Sequence, residues 1–94
     1  MAKLTAEQIS EGLAGLPGWS AEDGALVKMF VFPTFPAGIA FVDRVAVAAE
    51  AMGHHPDITI AYTRVTMRLS THDEGGVTEK DIALAERIEA AQQS

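Results

Sequence analysis

The sequence predicts an α+β fold in two layers, an antiparallel β-sheet with helices packed on one of its faces. Three observations predict this class. Segments with helical capping signals stand near both ends of the chain, a long apolar helical segment lies in the middle, and short strand-like runs separate them. The predicted order is α-β-β-α-β-β-α. Because 94 residues are too few for two hydrophobic cores, we expect residues 1–94 to form a single domain.

The helices are marked by their ends. Thr5 and Gln8 have the spacing of a capping box, and Pro17 is expected to end the first helix. Pro36 opens the second helix. This helix is apolar around much of its circumference as far as Met52, so we expect it to pack against a partner subunit as well as the sheet. Thr78 and Asp81 have the spacing of a second capping box, at the start of the last helix. The core stripe of this helix is Leu84, Ala85 and Ile88.

The strands are short runs rich in β-branched and aromatic residues. They are residues 25–32, 58–62 and 65–70, with a short extra strand near Trp19 and a turn at 22–24. The last run alternates, so Val65, Met67 and Leu69 are expected on one face and polar residues on the other. A hairpin is expected to turn near Thr63 and Arg64.

Composition and charge exclude several functions. Seven basic against 13 acidic residues give a net charge of −6, which opposes non-specific binding to nucleic acid or anionic membranes. The chain has no cysteine, and therefore no disulfide, thiolate metal site or thiol nucleophile. No apolar run approaches the ~18 residues of a membrane helix. The amino-terminal residues lack the layout of a signal peptide, so a cytoplasmic location is expected.

The three histidines all lie outside the predicted helices and strands. His54 and His55 follow the second helix, and His72 follows a strand. Imidazole exchanges protons near neutral pH, and loops on a rigid frame often hold catalytic groups. Solvated or structural histidines are nevertheless commoner, and adjacent histidines suit one zinc ion poorly. Pairing of Ser70 or Thr71 with His72 as nucleophile and base would lack an orienting acid. The three histidines could therefore be structural, bind a metal, pair with a nucleophile or form a metal-free acid–base site, and the residues alone leave these alternatives open.

Two weaker signals flank the histidines. Glu50 stands four residues before His54 and is expected either near it at the helix end or facing solvent. Gly75 and Gly76 lack the pattern of a phosphate-binding loop, so a turn with positive φ explains them better.

A longer motif joins these positions. Glu50 is followed after three residues by His54-His55-Pro56, and His72 stands sixteen residues beyond Pro56. On these motifs the chain resembles the pterin-4a-carbinolamine dehydratases, also called 4a-hydroxytetrahydrobiopterin dehydratases, from about Leu4 to Ile88. Other positions that fit the family are Trp19, Phe30, Phe32, Phe41, Tyr62, Val77 and Ala85.

The resemblance implies a hydro-lyase of tetrahydropterin recycling. Such an enzyme converts 4a-hydroxytetrahydrobiopterin to quinonoid dihydropterin and water, with no metal or other cofactor. The implied catalytic residues are His54 and His72, acting as acid and base, and His55, which either binds and orients the pterin or shares the proton transfer. The implied substrate-binding residues are Glu50, Pro56, Ser70, Thr71 and Asp81. Helix capping explains Asp81 equally well. The implied partners are a small pterin substrate and further copies of the chain, in a homodimer or homotetramer.

The family also contains proteins that act by binding. A non-catalytic dimerisation or assembly factor is therefore the alternative, and the three retained histidines favour the enzyme. The sequence departs from the family at Ile58, where many members have an aromatic residue, so a stacking contact with the pterin is expected to be lost there. Gly53 replaces a commoner Asn or Asp, and Lys80 keeps a position that is often basic.

Overall fold

A four-stranded antiparallel sheet and three α-helices make up the computed structural model, which describes residues 2–93. The elements are α1 (Ala6–Leu13), β1 (Ser20–Glu22), β2 (Ala25–Val31), α2 (Phe35–Met52), β3 (Asp57–Ala61), β4 (Arg64–Leu69) and α3 (Glu79–Gln92), with one turn of 3-10 helix at His72–Glu74. The strands lie in the order β1-β2-β4-β3. This confirms the predicted α+β class.

The helices cover one face of the sheet, and the hydrophobic core lies between the two layers. Leu26 pairs with Leu69 across β2 and β4, and both side chains are buried. Phe30 and Val65 form a second buried pair, with Met67 buried between the two pairs on β4. The alternation predicted for this strand is therefore confirmed. The helices contribute the fully buried side chains Phe41, Val45, Leu84, Ala85 and Ile88.

Several apolar side chains stay outside this core. Met29 and Val31 lie on the open face of the sheet and are 54% and 63% exposed, and Val47 on α2 is 73% exposed. The packing of α2 against another subunit stays a prediction. No helix between residues 2 and 93 is long and apolar enough to cross a membrane.

The first helix is shorter than the sequence predicts. It begins at the expected capping box, in which the Gln8 amide donates to Thr5 Oγ1 and the Thr5 amide donates to Gln8 Oε1. It ends at Leu13 and does not reach Pro17. Leu16 is still buried, because the turn after the helix bonds its amide to the Leu13 carbonyl and carries its side chain into the core.

The two hairpin turns differ in how well the sequence marks them. Asp23 and Gly24 have φ of 48° and 76°, the two positive values that an Asp-Gly hairpin turn requires. The β3–β4 hairpin turns one residue earlier than predicted: Ala61 pairs with Arg64, so the turn residues are Tyr62 and Thr63. Arg64 belongs to the strand because the buried positions of β4 fix the register.

The end of α2 sets the position of the first two histidines. Gly53 takes the left-handed conformation, with φ 64° and ψ 28°, and its amide donates to the carbonyls of Ala49 and Glu50. The His54 amide also donates to the Ala49 carbonyl, at 3.2 Å. This is the usual way in which glycine ends a helix, and it turns the chain directly into the segment that carries His54 and His55.

Replacing Gly53 with alanine tests this turn. A Cβ at Gly53 would meet nothing within 4 Å, so the cost is purely conformational, about 1–2 kcal/mol of unfolding free energy. Urea unfolding measures it. Gly15→Ala is the matched control, because a Cβ there also meets nothing within 4 Å and no positive φ is involved. Equal stability of the two variants would contradict the role given to Gly53.

Candidate active site

All three histidines line one cleft of about 430 Å³. Its walls come from the link between α2 and β3, the end of β4 with the turn that follows, and the first turn of α3. Six of the residues singled out in the sequence line it, namely His54, His55, Pro56, Ser70, Thr71 and His72. Asp57, Asp73 and Lys80 line it as well, although the sequence did not mark them as site residues.

His54 is held by a buried carboxylate. Its Nε2 lies 2.6 Å from Oδ1 of Asp81. The Asp81 side chain has no exposed surface, and that of His54 is 12% exposed. The two residues are 27 positions apart in the sequence, and they meet because the end of α2 lies beside the start of α3. The cleft therefore contains one imidazole with a fixed orientation.

The other oxygen of Asp81 is also fully used. Oδ2 accepts a hydrogen bond from the Thr71 hydroxyl at 2.9 Å and from the Thr78 amide at 2.9 Å. The second bond completes the capping box predicted for α3. Asp81 thus caps α3 with one oxygen and holds His54 with the other, which confirms the capping role. It is not among the residues that line the cleft, and its part in substrate binding stays a prediction.

This arrangement determines which nitrogen of His54 carries a hydrogen. A carboxylate only accepts hydrogen bonds, and both other groups that contact Asp81 donate to it. His54 therefore donates through Nε2–H, which leaves Nδ1 as the nitrogen that can take up a proton. A carboxylate in this position also stabilises the imidazolium that forms when the ring is protonated.

Glu50 pairs with His55, and not with His54. Its Nε2 lies 2.8 Å from Oε1 of Glu50, and the two side chains are 62% and 82% exposed. Glu50 was expected either near His54 or facing solvent; it is exposed and bonds to the neighbouring histidine. Adjacent residues in an extended link point in opposite directions. His54 consequently enters the protein towards Asp81, and His55 stays at the surface. An exposed pair of this kind adds little stability.

His72 begins the 3-10 turn and is exposed. Within residues 2–93 its imidazole has no hydrogen-bond partner. The turn itself is closed by the Thr71 amide, which donates to the Gly76 carbonyl at 2.9 Å. Gly75 has a φ of 75°, in agreement with the expected turn. A braced turn thus holds a free imidazole at the edge of the cleft.

Two hydroxyl groups next to His72 are engaged elsewhere. Ser70 donates to the carbonyl of Gly24 at 2.9 Å, in the β1–β2 turn, and Thr71 donates to Asp81. Neither is bonded to the His72 ring, so the described contacts contain no nucleophile–base pair. Among residues 2–93 no three histidine or acidic side chains lie close enough together to hold a metal ion.

Thr78 belongs to the hydrogen-bond network around Asp81, a place that sequence reasoning missed. Its hydroxyl lies 2.8 Å from that of Thr71, and its amide binds Asp81. The sequence marked it as a helix cap and nothing more. Since a cap is a local signal, the contact with Thr71, seven residues away, could be found only once the loop between them was placed.

The chain matches a known protein family over nearly its whole length. The sequence model of the family "Pterin 4 alpha carbinolamine dehydratase" matches residues 2–91. The chain belongs to the pterin-4a-carbinolamine dehydratase family. A relative from Chloroflexus aurantiacus, named provisionally as such a dehydratase, is 54% identical over 95% of this chain and 96% of its own. A relative from Mycobacteroides abscessus with the same provisional name is 53% identical over 95% of each chain.

Two solved structures share the fold of this chain. A transcriptional coactivator/pterin dehydratase from Brucella melitensis superposes with a TM-score of 0.92, at 38% identity, over 96% of this chain and 98% of that one. A pterin dehydratase-like protein identified as a RuBisCO assembly factor in the α-carboxysome superposes with a TM-score of 0.67, at 28% identity, over 81% of this chain and 88% of that one. A structural neighbour of this chain is therefore named for a role in assembly.

One departure from the family lies away from the cleft walls. Ile58 is on β3, is 36% exposed, and is not among the residues that line the cleft. The predicted loss of a stacking contact at this position therefore gains no support from the cleft geometry.

Replacing Asp81 with alanine tests how much of the fold depends on this carboxylate. The change leaves three buried or half-buried donors without their acceptor, so we expect a loss of about 2–4 kcal/mol of unfolding free energy. Gln8→Ala is the control, because Gln8 has the same place in the capping box of α1 but is exposed, and we expect it to lose under about 1 kcal/mol. Urea unfolding of both variants measures the difference. Similar losses would show that Asp81 is only a helix cap.

Proposed function

We propose that the chain is a 4a-hydroxytetrahydrobiopterin dehydratase that acts by histidine acid–base catalysis. The observation that carries the proposal is the cleft in which His54, His55 and His72 meet, with His54 oriented by a buried carboxylate. The membership of the chain in the pterin-4a-carbinolamine dehydratase family supports the choice of substrate. The product is the quinonoid dihydropterin, and the reaction serves tetrahydropterin recycling.

The reaction requires two proton transfers. The bond between C4a and its hydroxyl oxygen breaks, the oxygen keeps the electron pair, and an acid protonates it so that water leaves. The N5 proton passes to a base, and the electrons of the N5–H bond form the double bond between N5 and C4a. Positioned acids and bases typically contribute about 10²–10⁴-fold to such steps. The proposed mechanism needs no metal, redox cofactor or covalent intermediate.

The contacts of the histidines support a division of roles. His54 takes the proton from N5, because its Nδ1 has no hydrogen-bond partner among residues 2–93 and Asp81 stabilises the imidazolium that results. His72 protonates the departing oxygen from the exposed turn. His55, bonded to Glu50, binds and orients the pterin. Pro56 and Ser70 shape the cleft, whereas the hydroxyl of Thr71 supports Asp81.

The enzyme acts in the cytoplasm on a small pterin, as a homodimer or homotetramer in which the exposed apolar surface of α2 packs between subunits. Val47 on that surface is 73% exposed in the single chain.

A non-catalytic assembly role is the second candidate. The observation that favours it is the relative identified as a RuBisCO assembly factor, whose fold this chain shares at 28% identity. The enzyme is the better supported function, because His55 and His72 are exposed in the cleft and their side chains contribute little to the fold that a binding protein would need.

Alanine variants of the three histidines test the proposal. Carbinolamine generated in situ is mixed with purified protein, and its dehydration is followed against the spontaneous rate. We expect His54→Ala and His72→Ala to lower kcat by about 10²-fold and His55→Ala mainly to raise KM. Arg87→Ala is the control, because Arg87 is exposed on α3 and does not line the cleft. If the native protein does not accelerate the dehydration, the enzymatic function is wrong and the assembly role is favoured.

Added imidazole separates the base from the acid. If His54 is the base, His54→Ala regains activity with neutral imidazole, so rescue at fixed total imidazole rises with pH. If His72 is the acid, His72→Ala regains activity with imidazolium, so its rescue falls with pH. The opposite pattern would exchange the two roles, and an unaffected His72→Ala variant would remove His72 from the mechanism.

A further inference from the structure

The hydroxyl of Thr78 lies at a branch point beneath the cleft. The Thr78 side chain has no exposed surface. Its Oγ1 accepts a hydrogen bond from the Lys80 amide at 3.2 Å, and it also serves as the acceptor of the α3 capping box. The same atom lies 2.8 Å from Oγ1 of Thr71. A helix cap needs only the amide bonds, so the contact with Thr71 is additional to capping.

Counting hydrogens fixes the direction of the chain of bonds. A threonine hydroxyl has one hydrogen to donate. Thr71 gives its hydrogen to Oδ2 of Asp81, so it can only accept from Thr78. Thr78 therefore donates to Thr71, and its remaining acceptor capacity takes the amide hydrogen at the start of α3. Every bond in the series points towards the carboxylate that holds His54.

We propose that Thr78 is a positioning residue of the active site, which orients His54 through the hydroxyl of Thr71 and the carboxylate of Asp81. This inference rests on the proposed function, because it assigns Thr78 a part in the same catalysis. The Thr78 hydroxyl keeps the Thr71 hydrogen aimed at Oδ2, and a fully bonded Oδ2 prevents the carboxylate from rotating. Oδ1 then stays 2.6 Å from Nε2 of His54. This excludes the tautomer of His54 that carries its hydrogen on Nδ1.

The consequence is that helix geometry and imidazole geometry are set together. The α3 capping box places Thr78, and Thr78 fixes Thr71 at the end of β4. Lys80, whose amide binds the Thr78 hydroxyl, lines the cleft itself. A shift of the first turn of α3 would therefore be passed to His54 through three side chains.

Three variants and one control test this role. Thr78→Val removes the hydroxyl while keeping the shape, Thr78→Ser restores a hydroxyl, and Thr71→Val breaks the next bond but leaves the cap of α3 in place. Thr5→Val is the matched control, because Thr5 is the corresponding capping-box threonine of α1 and has no contact with the cleft. Thr5→Val loses a helix-capping hydroxyl just as Thr78→Val does.

The first measurement is the rate of carbinolamine dehydration. A displacement of about 1 Å at a catalytic group can cost ~10²-fold, so we expect a smaller tilt of His54 in Thr78→Val to lower kcat about tenfold with little change in KM. Thr78→Ser is expected to recover most of that loss, and Thr5→Val to retain native kcat. Equal kcat in Thr78→Val and Thr5→Val would overturn the positioning role.

The second measurement is the tautomer of His54, observed by ¹⁵N NMR of the histidine side chains, which does not require activity. We expect the native chain and Thr5→Val to hold the hydrogen on Nε2, and Thr78→Val and Thr71→Val to show a mixture. If the native chain fails to dehydrate the carbinolamine, the proposed function falls, and the tautomer alone decides whether Thr78 positions His54. If Thr78→Val does not fold, Thr71→Val decides, because the hydroxyl of Thr78 reaches the carboxylate of Asp81 only through Thr71. An unchanged tautomer in Thr71→Val would overturn the proposal.

Discussion

Three donors converge on the carboxylate of Asp81, and the rest of the site depends on their convergence. A buried carboxylate is costly unless hydrogen bonds replace the water it has lost. Thr71, Thr78 and His54 supply those bonds, and among the described residues no buried side-chain nitrogen or oxygen is left without a partner. The donors come from the end of β4, the start of α3 and the end of α2. One side chain therefore joins three segments of the fold at the floor of the cleft.

The features that could be predicted from the sequence are those whose signals are local. The capping boxes at Thr5 and Thr78 predicted where α1 and α3 begin, and strict alternation predicted the buried face of β4. Helix α2 ends at Met52, the last residue of the apolar segment in the sequence, with Gly53 as its cap. These features depend on residues within a few positions of one another, so a single stretch of sequence contains all the information they need.

The features that were missed depend on tertiary contacts. Helix α1 ends before Pro17, because burial of Leu16 is achieved by a turn and not by more helix. The hairpin turns at Tyr62, with a φ of 56°, because the buried positions of β4 override local turn preference. The bond between Glu50 and His55 and the contact between Thr71 and Thr78 also depend on how separate segments meet. The family motif predicted which histidines gather, and packing decides which of them is held.

The cleft has a buried side and an exposed side, and natural selection acts differently on each. Asp81, Thr71 and Thr78 tie the fold together, so selection for folding alone preserves them even in a lineage that no longer catalyses anything. His55 and His72 carry no comparable structural duty, and mutational drift can remove them as soon as dehydration ceases to matter. In a relative that acts only in assembly, we therefore expect the exposed histidines to be free to change, whereas the aspartate is expected to be kept by the demands of folding alone.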